Sequence, residues 1–175
     1  MRIEFFVPGD AKTQGSKKSF VHPHTGKVVI VDASPETRKW RDVVSWYGQR
    51  AWNRRCLTSD PIRLILTFWR QRPKGDFRTR QGKPSKLIKD SAAAFPIPKP
   101  DALKLARTIE DGLSKVIYHN DSQNVDLHIY KRFCRQGEQP GANVVIETMD
   151  NSIHGHDYIN DDSLREEPYL FDPQR

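Results

Sequence analysis

Residues 99–123 read KPDALKLARTIEDGLSKVIYHNDSQ, and no other stretch of the chain joins carboxylates, cations and a regular apolar period. Ala102, Leu105, Ala106, Ile109, Leu113, Val116 and Ile117 recur at helical spacing, which predicts a helix burying that stripe. Pro100 and Asp101 suit its entry, where a short carboxylate caps free backbone N–H groups and meets the positive end of the dipole. Lys104, Arg107, Thr108, Asp111 and Lys115 recur on the opposite face at steps of three and four, as a solvated surface does. Beyond the helix, Val125, Leu127 and Ile129 alternate with Asp126, His128 and Tyr130, the period of a half-buried strand that Asp121 opens. A helix from Leu103 to Ser114 rises about 18 Å, and residues 115–120, if extended, return about 20 Å. Asp101 and Asp121 are therefore expected to meet. Two carboxylates so paired repel unless neutralised, and a hard divalent cation such as Mg²⁺, with Mn²⁺ as a substitute, takes oxygen ligands of this kind.

Upstream, Arg2 to Val7 is a short apolar run closed by Pro8 and Gly9, a first strand. The turn after it is basic: Lys12, Lys17 and Lys18 surround Gln14-Gly15-Ser16, where small residues let backbone N–H groups approach a phosphate. Phe20–His22 and Lys27–Val31 read as a hairpin. Ser34-Pro35 starts a second helix, whose tryptophans Trp40, Trp46 and Trp52 read as core rather than as a base-stacking surface. Ile62 to Trp69 reads as a central strand, with Leu64, Leu66 and Phe68 continuing its buried face. Val144 to Thr148 closes the domain.

Between Arg70 and Lys99 the pattern stops. Nine cations (Arg70, Arg72, Lys74, Arg78, Arg80, Lys83, Lys86, Lys89 and Lys99) face only Asp76 and Asp90, a net of +7 that equals the charge of the whole chain. A structureless loop of this length is functional or disordered, and the reading here is an arm that orders on DNA, gripping phosphates without reading sequence. From residue 149 the balance reverses into an acidic tail, expected to be disordered, which leaves residues 1–148 as the one domain.

A pI near 9.5 favours an anionic partner, nucleic acid above all. No run approaches the roughly 18 apolar residues of a membrane span, and the opening MRIEFFVPGD lacks a signal-peptide core, so a cytoplasmic protein is expected, free of membranes. Cys56 and Cys134 lie outside any metal-ligand spacing and read as reduced thiols.

At residues 99–123 the chain resembles the RusA family of Holliday junction resolvases, in the divergent form of phages and prophages. The family signature runs roughly K-P-D-x-D-N-L-x-K, then D-x-L, then D-D-x-Q. The resemblance places Asp101 at the first metal-binding aspartate, Asp121 at the last, Arg107 at the catalytic-site lysine and Asp111 at a mid-helix aspartate. Three positions depart: Leu103 stands at the second metal-binding aspartate, Lys104 at the asparagine, and Asn120 at the first residue of the D-D pair. Asp111 is then the preferred third ligand, ahead of Glu110 and Asp126. The resemblance implies an α+β fold, a mixed β-sheet with two main helices and a long basic loop. It also implies a Mg²⁺-dependent, homodimeric endonuclease that resolves four-way junctions or other branched DNA by phosphodiester hydrolysis, in recombination and repair. DNA would be gripped by Lys12, Lys17, Lys18, Arg70, Arg72, Lys74, Arg78, Arg80, Lys99 and Lys104. The alternative is a non-catalytic, structure-selective DNA-binding module that lost cleavage together with the second aspartate.

Overall fold

The structure, a computed structural model, describes residues 1–14, 17–32, 34–53, 55–80, 83–135 and 137–152, with the backbone alone at 17, 18, 30–32, 80 and 83–86. In chain order the elements are β1 (Arg2–Pro8), β2 (Lys17–Val21), β3 (Val28–Asp32), α1 (Pro35–Trp52), β4 (Ile62–Arg70), β5 (Phe77–Arg80), β6 (Lys83–Ile88), α2 (Ala102–Leu113), β7 (Asn124–Phe133) and β8 (Gly141–Thr148). The acidic tail expected from residue 149 lies outside the described residues from 153 onward.

Four strands form a mixed sheet in the order β1-β8-β4-β7, antiparallel except for the parallel pair β4–β7. That parallel pair explains α2: two parallel neighbours need a crossover, and α2 supplies it. The alternation along β4 is borne out, since Ile62, Leu64, Leu66 and Phe68 are fully buried beneath the helices. Arg63, Ile65, Thr67 and Trp69 take the other face, which no helix covers among the described residues. The expected α+β class, with a mixed sheet and two helices, is thus what the chain adopts.

The apolar stripe of α2 packs as predicted, with Leu105, Ala106, Ile109, Leu113 and the following Ile117 all buried. The helices cross closely because Gly112 has no side chain: a Cβ there would lie 2.9 Å from Val44 Cγ1 of α1. Trp40 and Trp52 are buried in the same core, while Trp46 is half exposed with the Arg50 guanidinium 4.8 Å above its ring.

Two expectations need correction. Residues 70–99 are not structureless: a 3₁₀ turn at Lys74–Asp76 leads into the antiparallel hairpin β5–β6. Nor are residues 115–120 extended. Ile117 and Tyr118 are fully buried, and their burial turns the chain tightly under the end of α2, with Lys115 N–H donating to the Tyr118 carbonyl at 2.6 Å. The Tyr118 hydroxyl donates to the Glu110 carbonyl at 3.1 Å. Burial, reinforced by the Glu110, Asp121 and Asp111 carboxylates, lifts the phenol well above its usual range. A phenol with its folded pKa raised above the unfolded value stabilises the fold fully below about pH 10, and that contribution fades as pH rises past it. Urea midpoints should therefore fall as pH rises above about 10 in the native chain and fall less in Tyr118→Phe. At neutral pH that variant should lose about 1 kcal/mol with its hydrogen bond.

Candidate active site

β1, β4 and β7 all point the same way, because β8 is antiparallel to β1 and β4 while β4 and β7 are parallel. Their carboxyl ends gather the basic elements at one end of the sheet: the turn after β1 and the hairpin segment after β4. The entry to α2 is brought to the same end by Lys131 near the end of β7, whose ammonium donates to the carbonyls of Pro98 at 3.0 Å and Pro100 at 2.9 Å. Lys131 follows Leu127 and Ile129 on the face of β7 that lies beside Leu64, Leu66 and Phe68 of β4, so a cation interrupts an apolar alternation. That interruption was the signal in the sequence for a residue the motif reading missed.

Asp101 sits where Lys131 holds the chain, at the N-cap of α2. Its side chain caps no backbone N–H; it is exposed and faces the Lys104 ammonium at 3.2 Å. Leu103, at the family's second aspartate, points into solvent and is 71% exposed. Asp121 opens the 3₁₀ turn that precedes β7. It lies at the other end of α2, because Asn124, three residues on, donates to the Glu110 carboxylate in the last turn of the helix at 2.7 Å. Twelve helical residues span about 18 Å. The expected meeting of Asp101 and Asp121 therefore does not occur within one chain, since the tight turn at 115–118 replaces the extended return.

Asp111 has a different task from the one expected. Its carboxylate accepts from Gln14 Nε2 at 2.7 Å and faces Arg41 at 3.5 Å, while Gln14 N–H donates to the Lys104 carbonyl at 3.2 Å. These bonds clamp the basic turn onto α2. Asp111 also sits about 15 Å of helix rise beyond Asp101, too far to share an ion with it. The other two third-ligand candidates are engaged as well: Glu110 with Asn124, and Asp126 with Arg63 at 2.5 Å and His128 at 2.8 Å on the open face. Thr108, placed on the solvated face by its spacing, is buried and donates to the Lys104 carbonyl. Arg107 is exposed and forms neither ion pair nor hydrogen bond with another described residue, so its guanidinium is open to a phosphate.

The proposed grip divides into anchors and open cations. Arg72 is an anchor: it bonds Asp76 at 3.1 Å and the Ala93 carbonyl at 2.8 Å and stacks 4.0 Å over Phe133, tying the hairpin segment to the sheet. Arg70 pairs with Asp10 at 2.7 Å, Arg78 with Asp90 at 2.7 Å, and Lys12 with Asp10 at 3.1 Å. Lys74 and Lys99 are exposed and unpaired among the described residues, and Lys104 is exposed beside Asp101. The side chains of Lys17, Lys18 and Arg80 lie outside the described residues.

Among the described residues, the donor set of one chain does not by itself make a divalent-ion site. No three acidic, histidine or cysteine side chains converge among the described residues, and Asp101 at the entry to α2 already faces an ammonium. At the level of the whole chain, however, the family model for the endodeoxyribonuclease RusA matches residues 3–147. The chain belongs to the RusA family. YqaN of Bacillus subtilis (strain 168), itself uncharacterised, is 26% identical over 147 residues, which cover 84% of this RusA family chain and 96% of YqaN. The family match spans all four strands of the central sheet and both helices. No helix among the described residues is long and apolar enough to cross a membrane.

Proposed function

We propose that the chain is an endonuclease of branched DNA, resolving four-way junctions by phosphodiester hydrolysis in recombination and repair. Membership of the RusA family carries this reading. The gathering of the basic turn, the hairpin segment and the α2 entry at one sheet end supports it, because clustered cations bind phosphates through counterion release.

Asp101 and Asp121 stand at opposite ends of α2, so a site that uses both takes one from each of two copies. β7 suits such an assembly. Its outer edge bears no strand among the described residues, and Val125 and Leu127 are exposed along it, 61% and 37%. Two β7 edges pairing antiparallel set the start of each strand beside the end of the other, and with it Asp121 of one copy beside the Lys131-held Asp101 of the second. A two-fold dimer then carries two equal sites, the symmetry a four-way junction offers. Asp101 and Asp121 would hold Mg²⁺ between the copies, and a bound ion supplies an activated water and neutralises the phosphoryl oxygens. Arg107 contributes charge stabilisation of its own.

One observation favours the second reading, a DNA-binding module without cleavage: Lys104 already satisfies Asp101, beside an exposed Leu103 where the family has a carboxylate. A labelled four-way junction incubated with the chain across a titration of Mg²⁺ and of Mn²⁺ separates the two. Symmetric nicks that require metal and vanish in EDTA are the expected result. Junction binding with no nick at any metal concentration establishes the module instead.

A further inference from the structure

On the open face of the sheet, at the same end as the basic turn, lies a cavity of about 680 Å³ lined by Phe6, Thr67, Trp69, Glu138, Gln139 and Asn143. The register explains why it exists. β8 runs between β1 and β4, and Gly141 stands opposite both Pro8 and Trp69. A Cβ at Gly141 would run into the Phe6 ring and the Val7 carbonyl, so glycine lets that ring lean across the floor. Phe6 and Trp69 belong to strands two apart, about 10 Å from each other, with only a glycine and an asparagine between them. The volume falls within the range of small-ligand sites.

The chemistry of the lining selects the occupant. Among the described residues it offers two aromatic faces, one carboxylate and no cation, which disfavours a phosphate and favours a flat, uncharged heterocycle. Thr67 and Gln139 side chains bond no other described residue, and Asn143 spends its amide N–H on Glu4 at 3.0 Å, which leaves its carbonyl oxygen free. Glu138 accepts from the Arg135 backbone N–H at 2.8 Å with one carboxylate oxygen. A carboxylate and a carbonyl oxygen accept from an exocyclic amine, as cytosine and adenine carry. The cavity also borders the basic turn directly, since Gly9 N–H donates to the Pro140 carbonyl at 2.9 Å.

We infer that this cavity holds one unpaired nucleobase, flanked by Phe6 and Trp69, of a DNA strand whose phosphates lie on the adjoining basic turn. The inference rests on the branched-DNA reading and deepens it: a base inside a duplex is stacked and paired, whereas a branch point frees bases to leave the stack. Stacking of this kind is sequence-tolerant, with the carboxylate adding a preference for amino-bearing bases.

Binding in EDTA tests it independently of cleavage, using splayed-arm DNA whose unpaired nucleotides at the fork are either normal or abasic, with linear duplex alongside. For the native chain, abasic nucleotides should weaken splayed-arm binding about tenfold. Trp69→Ala should weaken binding to the normal fork by a similar factor, leave linear duplex unaffected, and make the chain indifferent to abasic substitution. Gln139→Ala, on an exposed loop, gives a second variant with a smaller loss confined to the normal fork. Losses that simply add, or a Trp69→Ala defect equal on linear duplex, overturn the base cavity while the branched-DNA reading stands. No preference for any fork over linear duplex in the native chain overturns both.

Discussion

Asn in place of either Asp101 or Asp121 is expected to abolish nicking of a four-way junction, by about a thousandfold, with binding in EDTA unchanged. Both carboxylates are exposed, and the Asp101–Lys104 pair is a surface contact of the kind that contributes little to folding, so the variants should keep their stability. The decisive measurement mixes the two dead variants. If each site takes Asp101 from one copy and Asp121 from the other, a mixed dimer concentrates both substitutions in one site and leaves the second intact. Random exchange makes about half the dimers mixed, so roughly a quarter of native activity should return. If each site lay within a single chain, mixing would restore nothing. Full activity in either single variant would remove the carboxylates from the mechanism altogether.

Lys131→Met is the second large effect. Its ammonium holds the carbonyls of Pro98 and Pro100 and so fixes where Asp101 emerges; without it, the carboxylate is no longer held against the end of β7. Displacement of a reacting group by about 1 Å costs up to a hundredfold, so kcat should fall between ten- and a hundredfold while junction affinity is kept. Lys131→Arg, which can still donate to two carbonyls, should recover part of the rate. Thermal unfolding of both variants guards against a stability artefact, since two charge-assisted bonds are lost in the methionine variant. A Lys131→Met protein that cleaves at the native rate beside an inactive Asp101→Asn protein would show that the clamp does not matter.

The sequence made the core legible because burial imposes a period. Ile62 to Phe68 alternates, Leu105 to Ile117 steps by three and four, and both patterns pack as their periods predict. The hairpin β5–β6 escaped because its strands are short, basic and proline-bearing, so no apolar alternation marked them. The site was less legible for a geometric reason. Spacing along the chain suggested that Asp101 and Asp121 could meet, but the path from 114 to 120 depended on where Ile117 and Tyr118 would be buried, a tertiary choice that spacing alone does not encode. Asp111 misled similarly: its place on the polar face was visible, but its partners Gln14 and Arg41 come from distant segments. Arg72 read as a DNA contact from charge alone, whereas its aromatic and carboxylate neighbours make it a bracket for the hairpin.

The order β1-β8-β4-β7 puts the last strand among the described residues into the interior of the sheet, between the first strand and the fourth. During synthesis β4 can pair with β7, but β1 has no neighbour and β4 lacks its second one until some 140 residues have been polymerised. Local elements such as α1 and the β2–β3 hairpin can form early, but completion of the sheet waits for Gly141 to Thr148. Premature termination between β7 and that strand leaves the edges of β1 and β4 unpaired, a product that proteases and self-association would remove and that no surface substitution could rescue.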